Sequence, residues 1–141
     1  MITINYFITN YNMKVKNSSL QDNELIEFKF KTIENILHPI KYISFNKKQE
    51  IAKKIIKSIA VRDENRKIIY NSCDKYYRSI TTLLSEYTDL KIEDDSFDLL
   101  LKNDILPYIV SYIGKDYEVA LGVIDMYMDD ILSERIQLES L

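Results

Sequence analysis

Apolar residues recur along most of the chain every three or four positions, the spacing of one face of an α-helix. Short polar stretches separate these runs, and the chain holds only 2 glycines and 2 prolines. Because glycine and proline punctuate folds built of many strands, their scarcity favours helices. The pattern predicts an all-α fold, an irregular bundle of about five to seven helices with a long C-terminal helix. A chain of 141 residues is expected to form a single helical domain, residues 1–141.

The opening segment fits two patterns. Helical spacing and strand alternation both describe its apolar positions, which are Ile2, Ile4, Tyr6, Phe7, Ile8 and Tyr11. We favour a short helix over residues 4–12. A turn at residues 17–19 follows, and Ser19 and Asp22 have the spacing of a capping box at the start of the second helix.

The second helix is predicted to end at about Leu37, because His38 precedes Pro39 and such a residue is disfavoured in the α region. Asn46 is expected to cap the third helix, and residues 62–67 are expected to form a loop. The inward positions of these helices are predicted to be Ile26, Phe30, Ile33 and Leu37, then Ala52, Ile55, Ile56 and Ile59.

The second half of the chain carries clearer helix boundaries. Asn71 or Ser72 is expected to cap a helix that runs to about Tyr87. Pro107 is placed in the first turn of a later helix, and Gly114 at its end. The longest helix is predicted over residues 116–137. Further predicted features are inward positions at Tyr76, Ile80, Leu83, Leu84 and Tyr87, and helix-start charges at Glu93, Asp94 and Asp95 before Phe97.

Candidate catalytic chemistry is limited by one cysteine, Cys73, and one histidine, His38. They allow neither an intramolecular disulfide nor a conventional zinc cage within one chain. Cys73 lies near a predicted helix start, where thiols can be activated, and His38 is the one histidine that could act as its base. We favour the alternative that both are helix-end residues, and no phosphate loop or metalloprotease motif occurs. We therefore expect no enzymatic activity and no cofactor.

Carboxylates on the last predicted helix form a row, because Glu118, Asp125 and Asp129 share one face. Such a row could hold Mg²⁺ with help from residues 93–95. We favour a solvated row that repels itself mildly, and hence no metal site. No run approaches about 20 apolar residues, so no membrane partner is expected.

Charge is distributed unevenly along the chain. Residues 46–67 carry eight basic and three acidic residues, whereas residues 86–141 carry fourteen acidic and four basic residues. A chain polarised in this way can attract a second copy head-to-tail or dock on a charged partner. Alternatively, the two clusters are solvated faces that neutralise each other within the fold. The net charge of −3 does not favour nucleic acid as a partner, although an acidic row can imitate a phosphate backbone.

The last predicted helix is apolar over most of its girth, which is typical of a helix central in its fold or buried in an interface. Its polar strip is narrow and consists of Glu118, Gly122, Asp125 and Asp129. Gly122 costs about 1 kcal/mol relative to alanine in a helix interior, so we expect it to permit close approach by another backbone. Eleven tyrosines also favour an interface, since tyrosine pairs a large ring with a polar tip.

Two regions resemble small helical accessory proteins encoded by phages of low-GC Gram-positive bacteria. The first is Ile4-Asn5-Tyr6-Phe7…Tyr11, Val15-Lys16-Asn17…Leu20 and Glu24…Phe28-Lys29, and the second is Tyr87-Thr88-Asp89-Leu90, Asp98-Leu99-Leu100 and Ile105-Leu106. The likeness is one of texture and spacing over about half of the chain, and no functional residues carry over. It implies either a virion part, such as a head-to-tail connector or capsid-associated protein, or a small inhibitor of a host system.

Together these observations predict a non-enzymatic phage accessory protein, a virion or assembly component that acts by protein–protein contact. The expected partners are copies of itself or other virion proteins, in the host cytoplasm during assembly and then in the virion. The alternative is a small monomeric inhibitor of a host or defence enzyme that presents an acidic, nucleic-acid-mimicking helix. The predicted contact residues are Lys53, Lys54 and Lys57 on one side, and Glu118, Gly122, Asp125 and Asp129 on the other.

Overall fold

The computed structural model describes residues 1–93 and 95–141, and 68% of the chain is helical. Seven α-helices lie in the described residues: α1 Ile4–Lys16, α2 Asp22–Leu37, α3 Phe45–Ile59, α4 Ser72–Tyr87, α5 Phe97–Lys102, α6 Leu106–Ile113 and α7 Lys115–Leu132. The strands are short: β1 Ile2–Thr3, β2 Val61–Arg62, β3 Ile68–Ile69 and β4 Leu90–Lys91. A 3₁₀ turn follows at Leu138–Ser140. The predicted all-α fold class, with its long C-terminal helix, is confirmed.

The chain forms two compact units, each made of two separate segments. Unit 1 consists of Met1–Tyr42 and Leu84–Gly114, and unit 2 consists of Ile43–Leu83 and Lys115–Leu141. Unit 1 has eleven acidic and seven basic residues, whereas unit 2 has eleven acidic and twelve basic residues. The predicted contact residues all belong to unit 2. The expectation of one domain stays a prediction.

In unit 1, the opening segment forms both structures that its pattern allowed, a short strand followed by a helix. Ile2 and Thr3 pair in parallel with Leu90 and Lys91. Thr3 then caps α1, because its hydroxyl accepts a hydrogen bond from the Tyr6 amide at 3.2 Å. Helix α1 packs against α2 and α5, and its buried residues are Ile4, Phe7 and Tyr11. The helix runs to Lys16, four residues beyond the predicted end.

Two predictions for α2 are wrong. The helix begins at Asp22 after Gln21, without a side-chain cap, and the Ser18 hydroxyl accepts from the Leu20 amide instead. The capping box predicted for Ser19 and Asp22 therefore does not form. Ile26 is exposed because residues 22–27 at the start of α2 lie largely in solvent, and the buried residues are Thr32, Ile33, Ile36 and Leu37. The predicted end is confirmed, since His38 takes a left-handed conformation after Leu37.

In unit 2, α3 packs along α7. Ser44 caps α3 by accepting from the Lys47 amide at 3.1 Å. The cap predicted at Asn46 is wrong, because the helix starts at Phe45, two residues earlier than that cap would place it. Ala52, Ile55 and Ile56 are buried as predicted, and Ile59 is half-buried.

The predicted loop over residues 62–67 is part of a β-hairpin. Val61 pairs with Ile69 and Arg62 with Ile68. The Asp63 carboxylate holds the turn, accepting from the Asn65 and Lys67 amides at 2.8 and 2.9 Å. Strands of two residues are too short for alternation to show in the sequence.

Helix boundaries in the second half agree well with their local signals. Asn71 caps α4 by accepting from the Cys73 and Asp74 amides, as predicted. Pro107 lies in the first turn of α6, and Gly114 ends it with a φ of 88°. Tyr76 is exposed rather than inward, whereas Ile80, Leu83, Leu84 and Tyr87 are buried. Of the predicted helix-start charges, Asp94 lies outside the described residues.

Helix α7 is the longest, as predicted, but it ends at Leu132 rather than at residue 137. Its buried face is narrower than the wide apolar girth noted in the sequence, since the apolar residues Leu121 and Tyr127 are half-buried and Leu132 is exposed. The buried residues are Tyr117, Ala120, Val123, Ile124, Met128 and Ile131.

Candidate functional site

The predicted contact residues form two surfaces of unit 2, which we call the basic surface and the acidic surface. The basic surface consists of Lys53, Lys54 and Lys57 on α3, and the acidic surface of Glu118, Gly122, Asp125 and Asp129 on α7. All three lysines and all three carboxylates are exposed, and Gly122 is partly exposed. The helical spacing explains this placement, because each set lies opposite the buried face of its own helix.

The basic surface has few partners within the chain. Lys53 Nζ lies 5.7 Å from the centre of the Tyr127 ring, a cation–π arrangement. Lys54 and Lys57 form no ion pair with any residue that the structure describes. A shallow depression of about 480 Å³ borders them and is lined by Glu50, Lys53, Lys54, Lys57, Ser58 and Leu141. Two positive charges are therefore available to a partner here.

The acidic surface is partly neutralised by its own unit. Asp125 forms an ion pair with Lys75 of α4 at 2.5 Å. Glu118 and Asp129 make no ion pair within residues 1–93 and 95–141. The pairing of Asp125 with Lys75 could not be predicted from the sequence, because the two residues lie 50 positions apart. Two of the three predicted carboxylates thus stay available.

Gly122 is open to solvent on the side where a side chain would project. No heavy atom of the described chain, apart from its own helix backbone and neighbours, lies within 4 Å of the position of a Cβ atom. The predicted close approach is therefore not made within the described residues. Val119 and Met126, one turn to either side, are 51% and 57% exposed, whereas Val123 is buried. The acidic surface thus borders an exposed apolar strip on α7.

Other charges of the same segments are neutralised inside unit 2. Lys48, counted in the basic stretch, is buried and donates to the Ile43 carbonyl at 2.6 Å and to Asp116 at 2.9 Å. The other Asp116 oxygen accepts from the Ile43 amide at 3.0 Å. Lys48 and Asp116 thus neutralise each other across the two charged segments, while the basic and acidic surfaces stay exposed.

A second cluster of charges surrounds Arg62 of β2. Its guanidinium donates from Nε and Nη2 to the Glu139 carboxylate, from Nη1 to the Arg66 carbonyl and Glu134, and from Nη2 to Gln137. All five N–H donors are therefore engaged. The hydrogen bond from Arg62 lowers the pKa of Glu139 from 4.5 to about 2, and the same contact raises the pKa of Arg62. The sequence predicts a polar loop at Arg62, and the partners in this cluster lie too far along the chain to be deduced from it.

The two residues considered for catalysis lie in different units. In unit 1, His38 Nδ1 is 2.9 Å from the Asp89 carboxylate, and both side chains are exposed. In unit 2, Cys73 is exposed in the first turn of α4. Among the described residues, no group of three or more histidine, cysteine and acidic side chains is placed to hold a metal ion. No helix in that part of the chain is long and apolar enough to cross a bilayer.

Comparison with models of protein families, with curated proteins and with solved structures finds no match. A function for this protein must therefore be inferred from the chemistry of the surfaces described above. The likeness to phage accessory proteins stays a prediction.

Proposed function

We propose that this protein is a non-enzymatic assembly component that binds copies of itself, the basic surface of one copy against the acidic surface of the next. The observation that carries the proposal is the difference between buried and exposed charges in unit 2. The buried Lys48 is paired with Asp116, whereas the exposed Lys54 and Lys57 have no ion pair among the described residues. Because the two surfaces differ, the contact is head-to-tail, and it builds a ring if its rotation closes.

The apolar strip beside the acidic surface supplies a second part of this contact. An exposed ion pair contributes only about 0–1 kcal/mol, so charges set orientation and rate more than affinity. Val119 and Met126 supply apolar area, and Gly122 between them leaves room for a partner's backbone. In this arrangement the charges align two copies and the apolar strip holds them.

The setting that fits this proposal is a phage particle. The likeness to phage accessory proteins supports a head-to-tail connector or capsid-associated role, in the host cytoplasm during assembly and then in the virion. The partners are copies of the chain or other virion proteins, and the proposed contact needs no cofactor and no nucleic acid.

Charge reversal of each surface tests the contact. We expect Lys54→Glu with Lys57→Glu, and separately Glu118→Lys with Asp129→Lys, to abolish an oligomer that light scattering detects for the unmodified chain at low salt. Mixing the two variants should restore it, because every α3 surface then meets an α7 surface of opposite sign. The matched control is Lys14→Glu with Lys16→Glu, exposed lysines of unit 1 whose reversal changes the net charge equally. A monomer at every concentration and salt, or a mixture that stays monomeric, contradicts the proposal.

A second candidate, a monomeric inhibitor of a host enzyme, is favoured by the exposed carboxylates of the acidic surface alone. It predicts binding to a basic host protein that weakens as salt rises. Glu118→Lys with Asp129→Lys would abolish that binding, while reversal of Lys54 and Lys57 would leave it intact. The two candidates therefore differ in whether the basic surface matters.

A further inference from the structure

The end of α7 is not set by its local sequence. Residues 133–141 contain neither glycine nor proline, and their spacing continues the helix pattern. The structure nevertheless stops the helix with Glu134 in a left-handed conformation, φ 58°. The Glu134 amide donates to the Ile131 carbonyl and the Arg135 amide to the Asp130 carbonyl, which is the Schellman arrangement. That position usually holds glycine, so a glutamate there is strained and must be held by contacts further along the chain.

Residues 133–141, which we call the strap, have two such contacts in unit 2. The first is polar, the engagement of Arg62 by Glu134, Gln137 and Glu139. The second is apolar, since three strap residues pack against a buried cluster drawn from α3 and the residue after it, from β3 and from α7. The strap residues are Ile136, Leu138 and Leu141, and the cluster is Ile56, Ala60, Ile68, Met128 and Ile131.

We propose that this strap site also accepts the strap of a second copy, so that assembly exchanges straps between neighbours. The ligand class is a short segment with a glutamate between two leucines, as in Leu138-Glu139-Ser140-Leu141. If α7 continued as a helix through Glu134, the nine strap residues would extend about 13 Å beyond Leu132 and leave their own site. The same arginine and apolar contacts could then form between copies, because exchange of an element preserves its contact chemistry.

The position of the strap connects this exchange to the basic surface. Leu141 packs on the apolar cluster and also lines the depression beside Lys53, Lys54 and Lys57. A strap that leaves its site therefore changes the border of the surface that meets the neighbouring copy. The inference rests on the proposed self-association and adds to it the segment that one copy gives to the next.

The test uses the full chain and a labelled peptide of residues 133–141, with binding followed by fluorescence anisotropy. In the unmodified chain the attached strap competes, so apparent affinity falls in proportion to the fraction of open sites. In the Glu139→Arg chain, Arg62 repels the attached strap. We therefore expect the unmodified peptide to bind this variant at least about tenfold more tightly than it binds the unmodified chain. Retained helical circular dichroism shows that the variant is folded.

A reciprocal pair of variants separates recognition from apolar stickiness. An Arg62→Glu chain should bind a peptide carrying Glu139→Arg and reject the unmodified peptide, while the Glu139→Arg chain shows the opposite preference. Absence of binding, or equal binding of both peptides to both chains, overturns the exchange. Assembly without this pattern contradicts the exchange alone. If the chains show this peptide preference but the protein does not assemble, the proposed function is wrong. In that case the strap is not donated by a second copy.

Discussion

Lys48 and Asp116 lie 68 residues apart in the chain and form an ion pair at 2.9 Å in unit 2. Their side chains are 3% and 15% exposed. The pair joins the first turn of α3 to the first turn of α7. The negative charge of Asp116 also interacts favourably with the dipole of α7, because it lies at the N-terminal end of that helix. The Ile43 amide donates to Asp116 and the Ile43 carbonyl accepts from Lys48, so the charge buried here is compensated from several directions.

Removal of the lysine alone should destabilise unit 2 strongly. We expect Lys48→Met to cost about 3–5 kcal/mol, because a partly buried carboxylate loses its counter-charge. Adding Asp116→Asn should recover a large part of that loss, since no buried charge then stays uncompensated. Urea unfolding followed by circular dichroism measures both. Lys54→Met, at an exposed position on the same helix, should stay within about 0.5 kcal/mol. If Lys48→Met lowers the free energy of unfolding no more than Lys54→Met does, the ion pair does not stabilise the fold.

Acid should weaken the hold on the strap through Glu139. Its pKa is lowered from 4.5 to about 2 by Arg62, with Arg66 contributing in the same direction. A carboxyl whose pKa is lowered by folding stabilises the folded state fully above its unfolded pKa, and loses that contribution as pH falls through the folded value. The stability difference between the unmodified chain and Glu139→Gln should therefore be constant above about pH 5 and shrink steadily towards pH 2. Urea midpoints across that range measure it, and a difference independent of pH would contradict the assignment.

Gly122 should be replaceable by alanine without steric cost. We expect Gly122→Ala to stabilise the isolated chain by about 0.5–1 kcal/mol, because helix propensity improves and no atom of the described chain outside its own helix and neighbours crowds the new Cβ. The same change should weaken self-association if a partner's backbone packs on Gly122. Urea unfolding and light scattering separate the two effects. Gly114→Ala is the contrasting variant, since a φ of 88° should make it destabilising although its surroundings are also open.

The cap of α3 gives a matched pair of asparagine and serine variants. Ser44→Ala should cost about 1 kcal/mol, because the Lys47 amide loses its acceptor at the helix start. Asn46→Ala, one residue inside the helix, should change stability by less than about 0.5 kcal/mol. Thermal unfolding of both variants measures the difference. A larger loss for Asn46→Ala than for Ser44→Ala would instead place the cap at Asn46, as the sequence predicted.

Local signals in the sequence predicted most helices and several of their ends. Asn71, Pro107 and Gly114 each act through a neighbour a few residues away, so their roles could be deduced from the sequence. The same kind of reasoning failed for Ser19, whose capping box does not form. Local chemistry therefore identifies the candidates for a boundary, and packing decides between them.

Features that depend on distant partners could not be predicted. The exposed side of α7 was identified from its polar strip, but the pairing of Asp125 with Lys75 depends on how α4 packs. The residues that follow the early end of α7 contact Arg62, which belongs to a strand pair too short to show a period. Periodicity reports which face of a helix is buried, and it carries no information on which distant residue will meet the other face.

The division of the chain into two interrupted units also bears on the order in which a ribosome delivers it. Unit 1 is complete once Gly114 has been made, whereas Ile43–Leu83 must wait for Lys115–Leu141. During that interval the apolar side of α3, with Ile51, Ile55 and Ile56, lacks the helix that covers it. Nascent chains with such uncovered surface are the ones that chaperones bind and that aggregate when crowded. We therefore expect slow translation of residues 115–141 to expose this chain to both fates.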